Sequence, residues 1–277
     1  MPTTVPTGLA ELTEIVAYTD FATSAPTPLQ ETLGVGSLHV ASTRALAVRG
    51  DASHFHNRAG GFGVDRPVTA DDLARVCDFY RSQGIAQGAL MIAPPLLPPD
   101  WAATAAKLGL TESSRFVKLG RDLDALPAGT DRPALDPDWR IGIVEAHQAH
   151  EWATVMMTTF GLTAPDLIEM AASFVGKTNW HQYAIWAGER IVAVGSVFFN
   201  GECAHMFAGA TLPEARGRGA QSALLATRMQ AAKAEGCRWS VAETGVEAPG
   251  EHNPSLHNML RAGFEPMYER PNWLWRA

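Results

Sequence analysis

The stretch that decides the reading of this chain is Ala210-Thr211-Leu212-Pro213-Glu214-Ala215-Arg216-Gly217-Arg218-Gly219-Ala220-Gln221-Ser222. It stands between a strand pattern, Cys203 to Thr211, and a helical pattern from about Ala220 to Ala234 that stops at Gly236. Gly217 and Gly219 let the backbone turn sharply and approach a ligand without Cβ interference. A helix starting near Ala220 presents N–H groups with no intrahelical partner, and its dipole favours negative charge there. Strand, glycine-rich turn and helix N-terminus together make a cradle for a diphosphate. Arg216 and Arg218 add positive charge to it. The turn lacks the Gly-Lys-Ser/Thr ending of the triphosphate-binding loop and the third glycine of the dinucleotide fingerprint. Taken alone, Gly-Arg-Gly reads equally well as an ordinary strand-to-helix turn.

Working outward, three strands, His181 to Ala187, Arg190 to Phe199 and Cys203 to Thr211, are joined by turns at Gly188-Glu189 and Asn200-Gly201, the second a strong hairpin signal. Before them come a strand at Trp139 to Val144 and two amphipathic helices, carrying Trp152, Val155, Met156 and Phe160, then Leu167, Met170, Ala171 and Phe174. After the glycine-rich turn and its helix come a strand at Arg238 to Glu243, a short helix at Pro254 to Arg261 and a last strand at Met267 to Trp275. The first half is plainer. Residues 1–30 read as a loose lead-in with a short helix at Leu9 to Val16. Short strands follow between Leu38 and Phe62, then a helix opened by Thr69 and Asp72 as a weak capping box. A strand at Ala89 to Ala93, a helix from Asp100 to Lys107 and a strand at Ser114 to Leu119 complete it. Pro127, Gly129, Pro133 and Pro137 mark Asp122 to Asp138 as a linker. The halves echo one another, with helix, strand and helix closing at Gly84 and Gly109 in the first and at Gly236 and Gly263 in the second.

Composition bounds the function. The 277 residues suggest about two domains. With 46% hydrophobic residues, a packed core is affordable and disorder is excluded. No apolar run approaches a bilayer span, and the N-terminus lacks a signal pattern. Three scattered cysteines make neither a disulfide framework nor a zinc cage, so a reducing, cytoplasmic setting is expected. A net charge of -7 argues against a nucleic-acid surface.

Residues 139–277 resemble the GNAT superfamily of N-acetyltransferases. Its Arg/Gln-x-x-Gly-x-Gly/Ala signature is matched by Arg216 to Gln221, and its Asn-Pro-Ala/Ser helix ending in Gly-Phe by Asn253-Pro254-Ser255 through Gly263-Phe264. The resemblance implies an α/β (α+β) fold of two GNAT-like domains, 1–130 and 131–277. Each would be a mixed, mostly antiparallel sheet flanked by helices, with a V-shaped splay between strands 4 and 5 of the second. It implies acetyl-CoA as cosubstrate. Its diphosphate would be held by N–H groups from Arg216, Gly217, Arg218, Gly219, Ala220, Gln221 and Ser222, and its pantetheine would pair with the main chain of Gly209, Ala210 and Thr211. Asn253 and Ser255 either bind pantetheine or cap their helix. Two departures stand out. Gln221 replaces the final Gly/Ala, so its side chain must turn away from the phosphates. Met259 stands where the family often has a proton-donating Tyr. The first half lacks the signature; Gly63 to Thr69 and the nearby Asp65, Asp71 and Asp72 would repel a diphosphate, so it reads as a degenerate copy.

Acetyl transfer to an amine requires proton removal, oxyanion stabilisation and positioning. Glu243 at the end of the fifth strand is the first candidate base, or else a surface or loop partner. His205 on the fourth strand is the second, or else a core histidine. N–H near Ala210 or Thr211 is the expected oxyanion donor. Trp152, Trp180, His181, Tyr183 and Trp186 could line an acceptor pocket, although such aromatics more often form core. The expected partner is a small-molecule or peptide amine, with no nucleic acid, no membrane and a homodimer left open. The alternative is an acyl-CoA-binding regulatory module of weak or no turnover.

Overall fold

The computed structural model describes residues 5–126 and 135–277. In chain order its elements are α1 (Thr7–Thr23), α2 (Thr27–Leu33), β1 (Val35–Val40), β2 (Thr43–Val48), β3 (Arg58–Gly60), α3 (Ala70–Ser82), β4 (Gln87–Met91), α4 (Trp101–Leu108) and β5 (Thr111–Asp122). Then come β6 (Trp139–Ile143), α5 (Ala149–Thr159), α6 (Pro165–Ser173), β7 (Trp180–Ala187), β8 (Arg190–Asn200), β9 (Cys203–Thr211), α7 (Ala220–Ala234), β10 (Trp239–Gly245), α8 (Pro254–Arg261) and β11 (Glu265–Arg276). Residues 127–134 of the expected linker lie outside the described residues. Contacts divide the chain into two compact units. The N-terminal unit is Val5–Leu119 with Glu243–Asn253 and Pro266–Ala277; the central unit is Gly120–Ala242 with Pro254–Glu265. The expected division is 1–130 and 131–277, whereas the contact units group Glu243–Asn253 and Pro266–Ala277 with the N-terminal part.

In the N-terminal unit the strand order is β1-β2-β3-β4-β11-β5. β1 to β3 are antiparallel neighbours, and β3 pairs in parallel with β4 at Arg58↔Ala89 and Ala59↔Leu90. β11 joins β4 antiparallel, from Asn272↔Met91 to Arg276↔Gln87. The core gathers Leu73, Val76, Cys77 and Tyr80 of α3 with Leu90, Ile92, Trp101 and Trp275. The helix expected from Thr69 is α3. Asp72 N–H donates to Thr69 Oγ1 at 3.2 Å, and the Asp72 carboxylate accepts the Thr69 hydroxyl at 2.7 Å. Arg66 adds two hydrogen bonds of 2.7 Å to the same carboxylate.

The loose lead-in is a correction. α1 is a 17-residue helix with ten buried residues, Glu11 and Glu14 among them. Those carboxylates face Arg270 of β11, which reaches Glu11 at 2.7 and 2.8 Å and Glu14 at 2.7 and 2.8 Å. Tyr268 donates to Glu11 at 2.8 Å, and Lys118 of β5 lies 2.5 Å from Glu14. Burial alone would lower the Lys118 ammonium, but Glu14 and Glu243 outweigh it and hold it above its usual value. Glu11 and Glu14 interrupt the apolar stripe of Ala10, Ile15, Tyr18, Phe21 and Ala22 and blur its period.

In the central unit the order is β10-β9-β8-β7-β6. β6 through β9 form an antiparallel meander, and β9 pairs in parallel with β10. Gly188 (φ 63°) and Gly201 (φ 59°) supply the left-handed turn positions of its two hairpins. α5 and α6 cover one face through an aromatic cluster: Phe174 lies 5.5 Å from Trp152 and 4.8 Å from Trp180, and Trp180 lies 4.7 Å from Phe198 and 5.3 Å from Phe207. α7 covers the other, packing Ala220, Ala223 and Leu224 on Ile185, Val192 and Ala193. Among the described residues no helix is long and apolar enough to cross a membrane.

Candidate cofactor cradle and strand splay

β9 carries the site. It pairs with β10 at three positions only, Trp239↔Cys203, Ser240↔Ala204 and Val241↔His205, and then runs on to Thr211 without that partner. This is the splay expected between strands 4 and 5. On its other side β9 pairs with β8 through a bulge, since Val194 faces Ala210 and Ser196 faces Phe207. Ala208 and Gly209 thus stand against the single residue Gly195, and Ala208 takes φ 55°, an uncommon conformation for a residue with a Cβ. After the bulge, Leu212 N–H donates to Val192 at 3.0 Å. By antiparallel alternation, Ala210 also turns its main chain to β8, and Thr211 turns its own to the open side.

The chain then leaves the strand through a tight turn at Pro213–Ala215, in which Arg216 N–H donates to the Pro213 carbonyl at 3.3 Å. That removes Arg216 from the expected set of main-chain donors. From Gly217 to Ser222 the N–H groups have no acceptor among the described residues. Gly217 (φ 77°) and Gly219 (φ 81°) adopt the left-handed conformation the turn requires. Gly219 is the N-cap of α7 and, lacking a side chain, leaves the helix end uncapped. The first helical bond is Ala223 N–H to Gly219 at 3.0 Å. Six donors at one helix terminus, unused by the protein, are what an anionic diphosphate needs.

The remaining expected residues fall as follows. Arg216 is exposed, with Nε 3.4 Å from the Thr211 carbonyl. Arg218 lies 3.5 Å from Asp136 and over the Trp139 ring at 5.1 Å. Gln221 does turn away: its amide donates to the Ala210 carbonyl at 3.0 Å and to the Thr211 hydroxyl at 2.9 Å, tying the first turn of α7 to the end of β9. His205 is fully buried, edge-on to Phe207 at 5.9 Å. Glu243 is nearly buried in the N-terminal unit, 3.5 Å from Lys118. Asn253 spends its side chain on Thr244 Oγ1 at 3.2 Å and the Gly245 carbonyl at 2.7 Å. Ser255 is exposed in the first turn of α8, and Met259 is half-buried on the same helix. Of the aromatics expected to line an acceptor pocket, Trp152, Trp180 and Trp186 are buried in the core, His181 lies against Phe199 at 4.9 Å, and Trp180 and His181 border a depression. A depression of about 600 Å³ in the central unit is lined by Lys177, His181, Phe199 and Glu235. Glu235 closes α7, a helix about 22 Å long, so the depression lies at the opposite end of that helix from the cradle.

One group escaped the sequence reading. Arg228 of α7 is 2% exposed. Its Nη1 donates to the Ser196 carbonyl at 3.1 Å and the Phe207 carbonyl at 3.3 Å, and Nε to Leu224 at 3.1 Å. The available signal was a charged residue inside the apolar run Leu224, Leu225, Met229 and Ala232.

With this geometry in place, comparison with known proteins is informative. A family model, the acetyltransferase (GNAT) domain, matches residues 139–245. No curated protein matches the sequence. Solved structures similar to it include a GCN5-related N-acetyltransferase from Kribbella flavida, 15% identical with a TM-score of 0.62 over 94% of this chain and 96% of that one. A tandem GNAT protein from the clavulanic acid biosynthesis pathway is also 15% identical, with a TM-score of 0.62 over 97% and 94%. A GCN5-related N-acetyltransferase from Sphaerobacter thermophilus is 11% identical, with a TM-score of 0.59 over 98% and 94%. At such identities the likeness is one of fold. Residues 139–245 thus match the model of the GNAT acetyltransferase domain, and the chain has the fold of two GNAT-like domains. Acyl transfer is the chemistry of that class.

Proposed function

We propose that the chain is an N-acetyltransferase that moves the acetyl group of acetyl-CoA to a primary amine of a small molecule or peptide, by direct attack in a ternary complex. The observation that carries the reading is the row of unused N–H groups from Gly217 to Ser222 at the uncapped start of α7. Those groups would hold the diphosphate, and the open side of Thr211 would pair with the pantetheine amide. Acetyl-CoA supplies the activated thioester. The protein's part is to hold it along β9, exclude water and stabilise the charge that develops. The expected setting is cytoplasmic, in keeping with three free, buried cysteines.

The N-terminal unit repeats the arrangement with one difference. β3 pairs in parallel with β4 and is followed by α3, as β9 pairs with β10 and is followed by α7. The start of α3, however, is filled by Thr69 and by the carboxylate of Asp72. We read this copy as one that binds no cofactor. Isothermal titration with acetyl-CoA tests the proposal. One site per chain with micromolar to millimolar affinity, competed by CoA, is expected; no heat and no competition overturns it. Release of free thiol with a panel of primary amines then separates an enzyme from a binding module. Met259, a thioether in the place of a proton donor, is what favours the second.

A further inference from the structure

The bulge that shapes β9 is built around Arg228. The guanidinium fits because a glycine faces it: a Cβ on Gly195 would stand 2.9 Å from its Cζ, and Nη2 lies beside Gly209, 3.6 Å from where a Cβ there would stand. Nη1 spans the two carbonyls that flank the bulge, Ser196 on β8 and Phe207 on β9. Nη2, the nitrogen beside Gly209, has no acceptor among the described residues. Nor does any described carboxylate lie within ion-pair distance; Tyr183 is the one titratable side chain whose charge bears on the guanidinium. Burial lowers its pKa to about 10, which leaves it cationic at neutral pH. A buried cation opposed only by carbonyl dipoles is costly to fold around, and it becomes favourable when negative charge arrives nearby.

We infer that Arg228 is a positioning residue for acyl transfer, fixing the β9 bulge and setting a permanent positive charge beside Gly209 that stabilises negative charge on the reacting thioester. The inference rests on the acetyl-CoA reading above. In the transfer, the lone pair of a neutral amine bonds to the carbonyl carbon and the C=O π pair moves to oxygen. The C=O bond then re-forms, the C–S bond breaks with its electron pair on sulfur, and the extra proton on nitrogen passes to water. Negative charge therefore sits first on oxygen and then on the departing thiolate. A fixed cation lowers the energy of both, and it lightens the need for a side chain that protonates sulfur.

The test is the thiol pKa of CoA bound to the intact protein, read from thiolate absorbance against pH, with free CoA in parallel. Bound CoA should titrate about one unit or more below free CoA. Arg228→Lys keeps the charge and should keep most of that shift. Arg228→Gln keeps a planar donor without charge and should abolish it, with kcat falling about tenfold or more and KM for acetyl-CoA changing about threefold at most. A bound thiol that titrates at or above the free value overturns the inference, as does a Gln variant indistinguishable from wild type. The wild-type measurement decides alone if neither variant folds. Normal CoA binding with an unshifted thiol refutes the role of Arg228 only; absence of CoA binding refutes the acetyl-CoA reading and this inference with it.

Discussion

Ser222→Asp would move the cap of α3 onto α7. Asp72 is the third residue after its cap, Thr69, and Ser222 is the third after Gly219. At the start of α3 the Asp72 carboxylate accepts the Thr69 hydroxyl at 2.7 Å and lies 3.4 Å from the Thr69 N–H. A carboxylate at the same place in α7 would meet six unused N–H groups and the positive end of the dipole. That interaction favours the folded state by about 0.3–1 kcal/mol, raising Tm by about 1–3 °C. The same carboxylate would repel a bound diphosphate. With about 5 Å between charges and an effective dielectric constant between about 20 and 80, the repulsion is about 1–3 kcal/mol, or roughly five- to 150-fold in Kd. Scanning calorimetry and acetyl-CoA titration on one preparation give both numbers. Ser222→Asn, which keeps the shape without the charge, should bind within about threefold of wild type. A Ser222→Asp protein that is more stable yet binds acetyl-CoA as tightly as wild type would show that the anion sits elsewhere, and the cradle reasoning would fail.

Other outcomes follow from the same structure. Gly219→Glu should abolish acetyl-CoA binding, whereas Gly219→Ala, which meets the same φ of 81° without charge, should lose about 1–2 kcal/mol of stability and keep measurable affinity; calorimetry separates them. Acid should destabilise the N-terminal unit through Asp51 and His56, whose side chains meet at 2.7 Å. Burial opposes ionisation of Asp51, but the His56 ring and the Ser53 hydroxyl outweigh it and hold the carboxyl well below its usual range. Burial likewise holds His56 below its usual value. Both folded groups therefore bind protons less readily than the unfolded chain, so stability is complete above about pH 6.5 and falls on acidification; urea midpoints between pH 7 and pH 4 measure this. The thiols of Cys77 and Cys237 are buried and pushed up to about 11, and Cys203 is buried too. All three should resist an aromatic disulfide reagent in the native protein and react on unfolding, as counted by absorbance.

What could be read from the sequence depended on whether the deciding interaction was local. α3, α7 and α8 begin and end where caps, glycines and apolar spacing place them, because each of those signals lies within a few residues of the element it bounds. The meander β7 to β9 was legible for the same reason, through Gly188 and Asn200-Gly201. α1 was legible only as a short helix at Leu9 to Val16. Its buried face includes Glu11 and Glu14, and these become core only because Arg270 and Lys118, more than a hundred residues away, come to meet them. β11 was recognised as a strand but expected within residues 131–277, since sequence favours pairing with recent neighbours, whereas its ladder is with β4.

The site divides along the same line. The proposed diphosphate cradle is made of main chain, and two glycines with a following helix point to it once the Asn253 to Phe264 motif stands beside them; of the expected donors, the Arg216 N–H is consumed by the preceding turn. Side-chain chemistry carries no such signature. Glu243 has the right chemistry for a base, but Lys118, 3.5 Å from it, is set by a strand from the other half of the chain. Arg228 gave no reading in the sequence, because the Gly195 of β8 that makes room for it lies more than thirty residues before it. The two helix starts show how little sequence separates a binding site from its silent copy. Both follow a parallel strand pair, and both leave N–H groups facing outward. At α3 the third residue after the cap is an acid that fills the site from within; at α7 it is a serine that leaves it to be filled from outside. On the proposed reading, the same fold carries one copy whose anion is part of the protein and one whose anion is a ligand.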